Sequence, residues 1–305
     1  MIDETASGVY TIACTPFMPD GALDLGSVDT MVDFYAECGA TGLTILGMMG
    51  EAGKLSAAES EAVIRRVTAR TDLPVVVGVS SPGFAAMEAL SKTAMDAGAA
   101  GVMIAPAGGL KTDGQIIDYY HNVAETVADA PWVLQDFPLA TNVVIPTEVI
   151  LRIVADCPGC VMLKHEDWPG LAKISALRAA SDAGDARRIS ILCGNAGLFL
   201  VEEMGRGADG AMTGFAYPEM MRDVVSRMQA GDETAARDIF DAYLPLVRYE
   251  SQPGLGLSVR KHILAQRGAI AHPTVRRPGG GLAAAAQAEV ATMIARQEAR
   301  LAALA

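Results

Sequence analysis

The stretch CVMLK at Cys160–Lys164 is a short apolar run that ends in a lysine, and seven other short apolar runs recur along the chain. The runs are uninterrupted rather than alternating, which is typical of strands buried on both faces, hence of a parallel sheet. The eight predicted strands are Gly8–Cys14, Gly42–Leu46, Pro74–Val79, Gly101–Ile104, Trp132–Asp136, Cys160–Lys164, Ile189–Cys193 and Gly210–Thr213. Segments of helical period separate them, at about 25–38, 57–70, 84–97, 113–128, 146–156, 169–182 and 196–206.

Eight strand–helix units in about 220 residues predict an α/β fold of the (β/α)8 TIM barrel type. A doubly wound sheet is the alternative, but it usually carries a glycine-rich loop after its first strand, and Cys14–Phe17 reads CTPF. After Thr213 the pattern is helical only, at about 218–230, 233–248, 256–267 and 283–303. We therefore predict a barrel over residues 1–230 and a small C-terminal helical region over 231–305.

Composition excludes several classes of protein. The chain has 305 residues, is 51% hydrophobic and has a formal net charge of −12, which disfavours nucleic-acid binding. The longest uncharged apolar stretch, Ala97–Leu110, is too short and broken for a membrane span, and the acidic N-terminus does not resemble a signal peptide. The odd number of cysteines in a chain of this length argues against a framework of disulfides, so we expect a protein of the reducing cytoplasm. Cys157 and Cys160 have thioredoxin-type spacing, but they lie in a predicted turn before a strand. A redox-active pair is expected at the start of a helix instead.

Lys164 is the one lysine of six that directly follows an apolar strand. In a barrel, chemistry lies at the carboxyl ends of the strands, and a desolvated amine there is a nucleophile toward carbonyls. Pairing with a carboxylate is the alternative reading of this lysine. Glu166 should point to the same side as Lys164, whereas His165 should point outward and pack against a helix. Glu166 could move protons for an imine or simply form a salt bridge.

Other strand ends offer polar or small groups. Gly47-Met48-Met49-Gly50 can form a nest of backbone N–H groups for a carboxylate, or a plain turn; it lacks the P-loop pattern. Gln135 and Asp136 could bond a polar ligand or cap a turn, and small residues near Gly194 and Met212 leave room for a ligand. The four histidines lack metal-binding spacings, so no metal is predicted.

With these motifs in this order, the chain resembles the dihydrodipicolinate synthase and N-acetylneuraminate lyase family of Schiff-base barrels. The motifs that carry the resemblance are Thr15–Phe17, Gly47–Glu51, Asp136–Pro138, Lys164, Gly194–Asn195 and Gly210–Thr213. The resemblance implies a covalent imine through Lys164 without a cofactor, a small 2-oxo acid as substrate, and a homo-oligomer, tetramer or dimer.

Departures from the synthase pattern argue against synthase activity. Met48 and Met49 replace two threonines, Gln135 replaces a proton-relaying tyrosine, and Ala140 stands where an arginine binds the second substrate. Thioethers cannot relay protons. The tyrosine of the fourth-strand loop, which often crosses the dimer interface, is also missing.

The combination Gln135-Asp136-x-Pro138 with Lys164-x-Glu166 is similar to the branch of 2-keto-3-deoxy sugar-acid dehydratases, such as L-2-keto-3-deoxyarabonate dehydratase. The predicted function is dehydration of such an acid, with Lys164 and Glu166 as catalytic residues. The predicted substrate-binding residues are Gly47, Met48, Met49, Gly50, Gln135, Asp136, Gly194 and Met212. A pyruvate-dependent aldolase, a synthase-like condensing enzyme and a non-catalytic 2-oxo-acid binding protein are the alternatives.

Overall fold

Eight parallel strands close a barrel in the order of the chain, in a computed structural model that describes residues 1–168 and 170–304. The strands are β1 Gly8–Ile12, β2 Gly42–Ile45, β3 Val75–Gly78, β4 Gly101–Ile104, β5 Trp132–Asp136, β6 Cys160–His165, β7 Ser190–Cys193 and β8 Gly210–Ala211. Each pairs with its sequence neighbour, and β1 pairs with β8. The predicted TIM barrel is confirmed.

Helices follow the strands around the outside of the barrel. They are α1 Leu25–Glu37, α2 Ala57–Arg70, α3 Phe84–Asp96, α4 Asp113–Val127, α5 Pro138–Thr141, α6 Thr147–Asp156, α7 Leu171–Asp182, α8 Leu200–Gly205 and α9 Pro218–Gln229. The capping box of Ser56 and Glu59 at the start of α2 is present, with both side chains bonded to the opposite backbone N–H. Its two hydrogen bonds explain why the sequence signal located this helix start correctly.

The structure differs from the predicted helices at two places, and a third prediction is not covered by the described residues. The predicted helix 196–206 is divided, because Asn195 and Ala196 both have positive φ; a 3-10 turn at Asn195–Gly197 precedes α8. The short α5 after β5 was not predicted. The predicted start of α7 at residue 169 lies outside the described residues.

Two apolar cores hold the barrel, because successive strand residues point to opposite faces. The inner core fills the barrel and includes Ile12, Met103, Val133, Met162 and Met212. The outer core lies between strands and helices and is much larger. On β5 and β6 this alternation continues past the last apolar residue, so the polar residues at the strand ends also divide between the inside and the outside.

The C-terminal part of the chain adds α10 Glu233–Glu250, α11 Gly256–Gln266 and α12 Ala284–Leu304. Helix α10 packs on α9 and α12. The segment between α11 and α12 returns to the barrel mouth, where the backbone oxygen of Thr274 accepts a hydrogen bond from the buried Lys261. Within residues 1–168 and 170–304, none of the helices combines the length and apolar character needed to cross a bilayer. The boundary at residue 230 stays a prediction.

Candidate active site

A cavity of about 550 Å³ opens at the carboxyl ends of the strands. Five of the residues predicted from the sequence line it: Met48, Met49, Gln135, Lys164 and Glu166. They come from the ends of β2, β5 and β6, as expected for a TIM barrel, whose sites form at this face. Residues of the C-terminal part, from the end of α10 to the segment before α12, complete the wall.

Lys164, Glu166 and Gln135 form a connected polar trio at this cavity. Lys164 Nζ lies 2.9 Å from Glu166 Oε2, and Gln135 Nε2 donates a hydrogen bond of 2.7 Å to the same oxygen. Gln135 and Lys164 are register partners on β5 and β6, and Glu166 N bonds Asp136 O, which keeps the chain extended beyond β6. The strand alternation therefore places Lys164 and Glu166 on the same side, as the sequence predicted.

The turn after β7 fixes the position of Glu166. A Cβ at Gly194 would lie 2.1 Å from Glu166 Cγ, so only glycine leaves room for this side chain. Asn195 Nδ2 donates to the backbone oxygen of Glu166 at 3.1 Å. Gly194 was predicted to leave space for a ligand; the structure shows that this space is taken by Glu166. Asn195 was missed as a site residue, although the Gly-Asn pair at a strand end was a signal for it.

Met48 and Met49 open a 3-10 turn, Met48–Gly50, that follows β2. The N–H groups of Gly50 and Glu51 bond back to Gly47 and Met48. The first N–H groups of such a turn have no partner inside it, so the N–H groups of Met48 and Met49, two residues that line the cavity, make no bond within the turn. Gly47 and Gly50 flank the two methionines and are buried, and neither of them lines the cavity.

Glu51 anchors this turn to the C-terminal part of the chain. Its buried carboxylate pairs with Lys261 through one oxygen and with Lys54 through the other, at 2.7 Å from Lys54 Nζ. Arg276 N donates to the same carboxylate at 3.0 Å. Two lysines and one backbone N–H thus hold the Gly47–Glu51 motif against the segment that completes the cavity wall.

Asp136 lies on the outer face of β5, one residue after Gln135. Its fully buried carboxylate pairs with Lys173 of α7 at 2.7 Å, and Lys173 also pairs with Asp167 at 2.7 Å. Burial raises the pKa of Asp136 above its usual value, and the Lys173 ammonium opposes that shift. Asp136 was predicted to contact substrate; the structure instead turns it away from the cavity.

Met212 is likewise away from the cavity. It is fully buried in the inner core with Met162 and Leu192, so its side chain fills the barrel and is not placed to touch a ligand.

His165 points outward, as predicted, and lies 3.4 Å from Glu203 of α8. His165, Cys193 and Glu203 are buried, and their potential ligand atoms lie within 4.8 Å of one another. Three different elements supply them, so sequence spacing could not reveal the group. Cys157 and Cys160 lie at the end of α6 and the start of β6, and burial raises the pKa of both thiols, which fits the inert turn predicted.

Comparison with known proteins agrees with this architecture. The sequence profile of the Dihydrodipicolinate synthetase family matches residues 5–297, nearly the whole chain. The chain belongs to this family. Its members are lyases that act on small molecules through a covalent Schiff base to an active-site lysine, with no external cofactor, and they are usually oligomeric. The predicted family is confirmed.

Individual relatives have two different named activities. The chain is 35% identical to a 4-hydroxy-tetrahydrodipicolinate synthase of Sorangium cellulosum over 79% of each chain, and 28% identical to an L-2-keto-3-deoxyarabonate dehydratase of Azospirillum brasilense over 89% of this chain and 88% of the other. A crystal structure of a dihydrodipicolinate synthase from Rhodopseudomonas palustris superimposes with a TM-score of 0.95 at 53% identity, covering 97% of this chain and 99% of that one.

Proposed function

We propose that this protein is a Schiff-base lyase that dehydrates a 4-hydroxy-2-oxo acid, the class that includes the 2-keto-3-deoxy sugar acids. The contact of Lys164 Nζ with Glu166 Oε2 at 2.9 Å, on the wall of the cavity, carries the proposal. An amine and a carboxylate at this distance can exchange a proton directly. The transfer leaves a neutral amine for attack on a ketone and a protonated acid beside it.

The first half of the reaction forms the imine. Lys164 Nζ adds to C2 of the substrate, the C2 oxygen leaves as water after protonation, and a cationic imine results. The positive nitrogen withdraws electrons from C3 and makes the C3–H bond acidic. Glu166, whose Oε2 is already held by Gln135, is the base that takes this proton and leaves an enamine.

The second half expels the C4 hydroxyl. The C2=C3 electrons of the enamine form a C3=C4 double bond as the C4–O bond breaks. The protonated Glu166 gives its proton to the departing hydroxyl, which leaves as water. A conjugated imine remains, and hydrolysis by another water releases the unsaturated 2-oxo acid and regenerates the Lys164 amine. Two waters are released and one is consumed, so the net change is loss of one water.

The substrate carboxylate is assigned to the turn after β2. Met48 and Met49 line the cavity and their backbone N–H groups have no partner inside the turn; N–H groups of this kind bind carboxylates. The side chains of Met48 and Met49 disfavour the synthase reaction, because a thioether cannot relay a proton. Ala140 lines the cavity without a charge for a second carboxylate.

Product analysis tests the proposal. We expect a 4-hydroxy-2-oxo acid to yield a product lighter by one water, and borohydride to trap the substrate on Lys164. Release of pyruvate and an aldehyde would instead assign an aldolase that uses the same imine. Ligand-induced thermal stabilisation with neither trapping nor turnover would assign a non-catalytic binding protein.

A further inference from the structure

The cavity wall beyond the Lys164–Glu166–Gln135 trio is largely apolar. Met48 and Met49 form one side of it, and Phe137, Leu198, Leu257 and Trp168 contribute further surface. Met48 is 48% exposed and Trp168 is 45% exposed, so large apolar surfaces face solvent at the mouth of the cavity. Exposed apolar groups that are continuous with a reaction centre indicate a ligand with apolar surface of its own.

Each polar side chain on this wall already makes at least one hydrogen bond or ion pair with another group of the protein. Lys54 pairs with Glu51 and donates to Arg276 O. Other polar groups bond the backbone: Ser251 Oγ to Val247 O, Gln252 Nε2 to Tyr249 O, and Ser258 Oγ to Gly280 O. Asn195 Nδ2 donates to Glu166 O, and Thr213 Oγ1 accepts from Ala196 N. A polyol tail would have to compete with these contacts for its hydrogen bonds.

The buried arginine of the wall is occupied in the same way. Arg260 pairs with Glu250 and donates to Gly214 O, and Glu250 also accepts from Ala216 N. Arg260 Nη1 lacks a partner among the described residues, but it is buried against Gly214, where an added Cβ would lie 2.0 Å away. Its charge is balanced by Glu250, so this pair offers little to a second anionic group.

The cavity is large enough to hold more than the reacting atoms of the substrate. Its volume of about 550 Å³ lies within the range of roughly 300–1,000 Å³ that holds drug-sized ligands. The trio and the N–H groups of Met48 and Met49 account for the carboxylate, C2, C3 and C4 of the substrate. The remaining space, which the apolar side chains bound, would hold the substituent on C4 of the substrate.

We infer that the substrate carries an apolar substituent of about the size of a phenyl ring on C4, in place of the hydroxylated tail of a sugar acid. This inference rests on the proposed function and narrows its substrate class. It differs from the sugar-acid prediction made from the sequence, so one comparison decides between them. Burial of such a ring should favour the apolar substrate by about 10- to 100-fold.

The experiment compares two purified substrates, 4-hydroxy-2-oxo-4-phenylbutanoate and 2-keto-3-deoxyarabonate, by kcat/KM and by borohydride trapping. We expect both to be trapped on Lys164 and the phenyl substrate to have the higher kcat/KM by at least about tenfold. Equal or reversed preference with intact trapping would overturn the inference and leave the lyase standing. Absence of trapping with both would overturn the proposed function instead.

Matched variants locate the preference on the wall. Met48→Gln makes the side chain polar at similar length, and Met48→Leu keeps it apolar. Trp168→Gln and Trp168→Phe form a second pair, so the test survives the failure of one variant to fold. We expect each Gln variant, but not its apolar partner, to lower the preference for the phenyl substrate several-fold. An unchanged preference in both folded Gln variants would contradict the assignment.

Discussion

The ends of strands β5 and β6 carry two polar groups that lie back to back. The inner group, Gln135, Lys164 and Glu166, lines an open cavity, and Lys164 and Glu166 have only each other and Gln135 as side-chain partners among the described residues. The outer group includes Asp136 and His165, which are fully buried between strands and helices. Neighbours in sequence thus occupy opposite environments.

The contrast shows that residue type alone does not make a site. Lys164 and Lys173 are both ion-paired, with side chains only 6% and 9% exposed. Lys164 contacts a carboxylate that also faces a cavity, where a ketone can reach the amine. Lys173 is held between Asp136 and Asp167 on the outer face, so its charge serves only to neutralise them. Strand alternation decides which polar groups reach the cavity. Lys164 reaches it and can react with a ketone, whereas Lys173 does not and has a structural role.

Replacing the two lysines tests this contrast most severely. Lys164→Met removes the nucleophile, so turnover and borohydride trapping should both fall to background. Lys173→Met is the matched control, and its folded fraction should still be trapped on Lys164. Mass spectrometry of the borohydride-treated proteins measures both outcomes. Residual trapping in Lys164→Met would mean that another amine forms the imine.

Glu166→Gln separates imine formation from proton transfer. The amide keeps the size of the side chain but cannot take the C3 proton, so kcat should fall about 10²- to 10⁴-fold. Pyruvate should still be trapped on Lys164, whereas exchange of its methyl hydrogens with deuterated solvent should be lost. Wild-type exchange rates in this variant would show that a different group is the base.

Lys173→Met should act on stability, because it leaves Asp136 buried without its cation. Loss of one partner of a buried pair costs about 3–5 kcal/mol of unfolding free energy, measurable by urea unfolding. Asp136→Asn combined with Lys173→Met should recover most of the loss, since no buried charge remains.

The unfolding free energy that Lys173→Met loses, its stability deficit, should also depend on pH. Burial raises the pKa of Asp136 in the folded state, so the folded protein binds this proton more tightly than the unfolded chain. The stability linked to the proton is present at low pH and lost as the pH rises through the raised pKa. The deficit should therefore shrink in acid; a deficit independent of pH would count against an unpaired Asp136 carboxylate.

Gln135→Leu should have the smallest effect. It removes the hydrogen bond to Glu166 Oε2 but leaves the contact with Lys164, and loss of one bond to a charged group lowers kcat by about 10-fold or somewhat more. Gln135→Met, an unbranched side chain of similar length that also lacks the donor, controls for the branched shape of Leu. A wild-type kcat in Gln135→Leu would show that the hydrogen bond from Gln135 does not contribute to catalysis.

The sequence predicted the barrel and the inner group for physical reasons. Buried parallel strands require uninterrupted apolar runs, and a lysine at the end of such a run is rare enough to stand out. The two-residue spacing of Lys164 and Glu166 is set by the strand itself. Local rules sufficed for Lys164 and Glu166, because both belong to β6 and its extended continuation, whereas Gln135 joins them from the neighbouring strand β5.

Other features depend on contacts between distant segments. Alternation places Gln135 and Asp136 on opposite faces of β5, but which of them faces the barrel interior depends on the register of β5 against β6, and the partner of Asp136, Lys173, comes from α7. The use of Gly194 to make room for Glu166 also needs the register of β7. The predicted helix 196–206 missed the turn at Asn195 and Ala196, because positive φ at a non-glycine residue has only a weak sequence signal.

Borohydride trapping with pyruvate, followed by peptide mapping, shows whether Lys164 is the amine that forms the imine. We expect a single covalent adduct on the peptide that contains Lys164, while the similarly buried Lys173 and Lys261 stay unmodified. An adduct on either of those lysines, or an unmodified Lys164 at saturating pyruvate, would contradict this assignment.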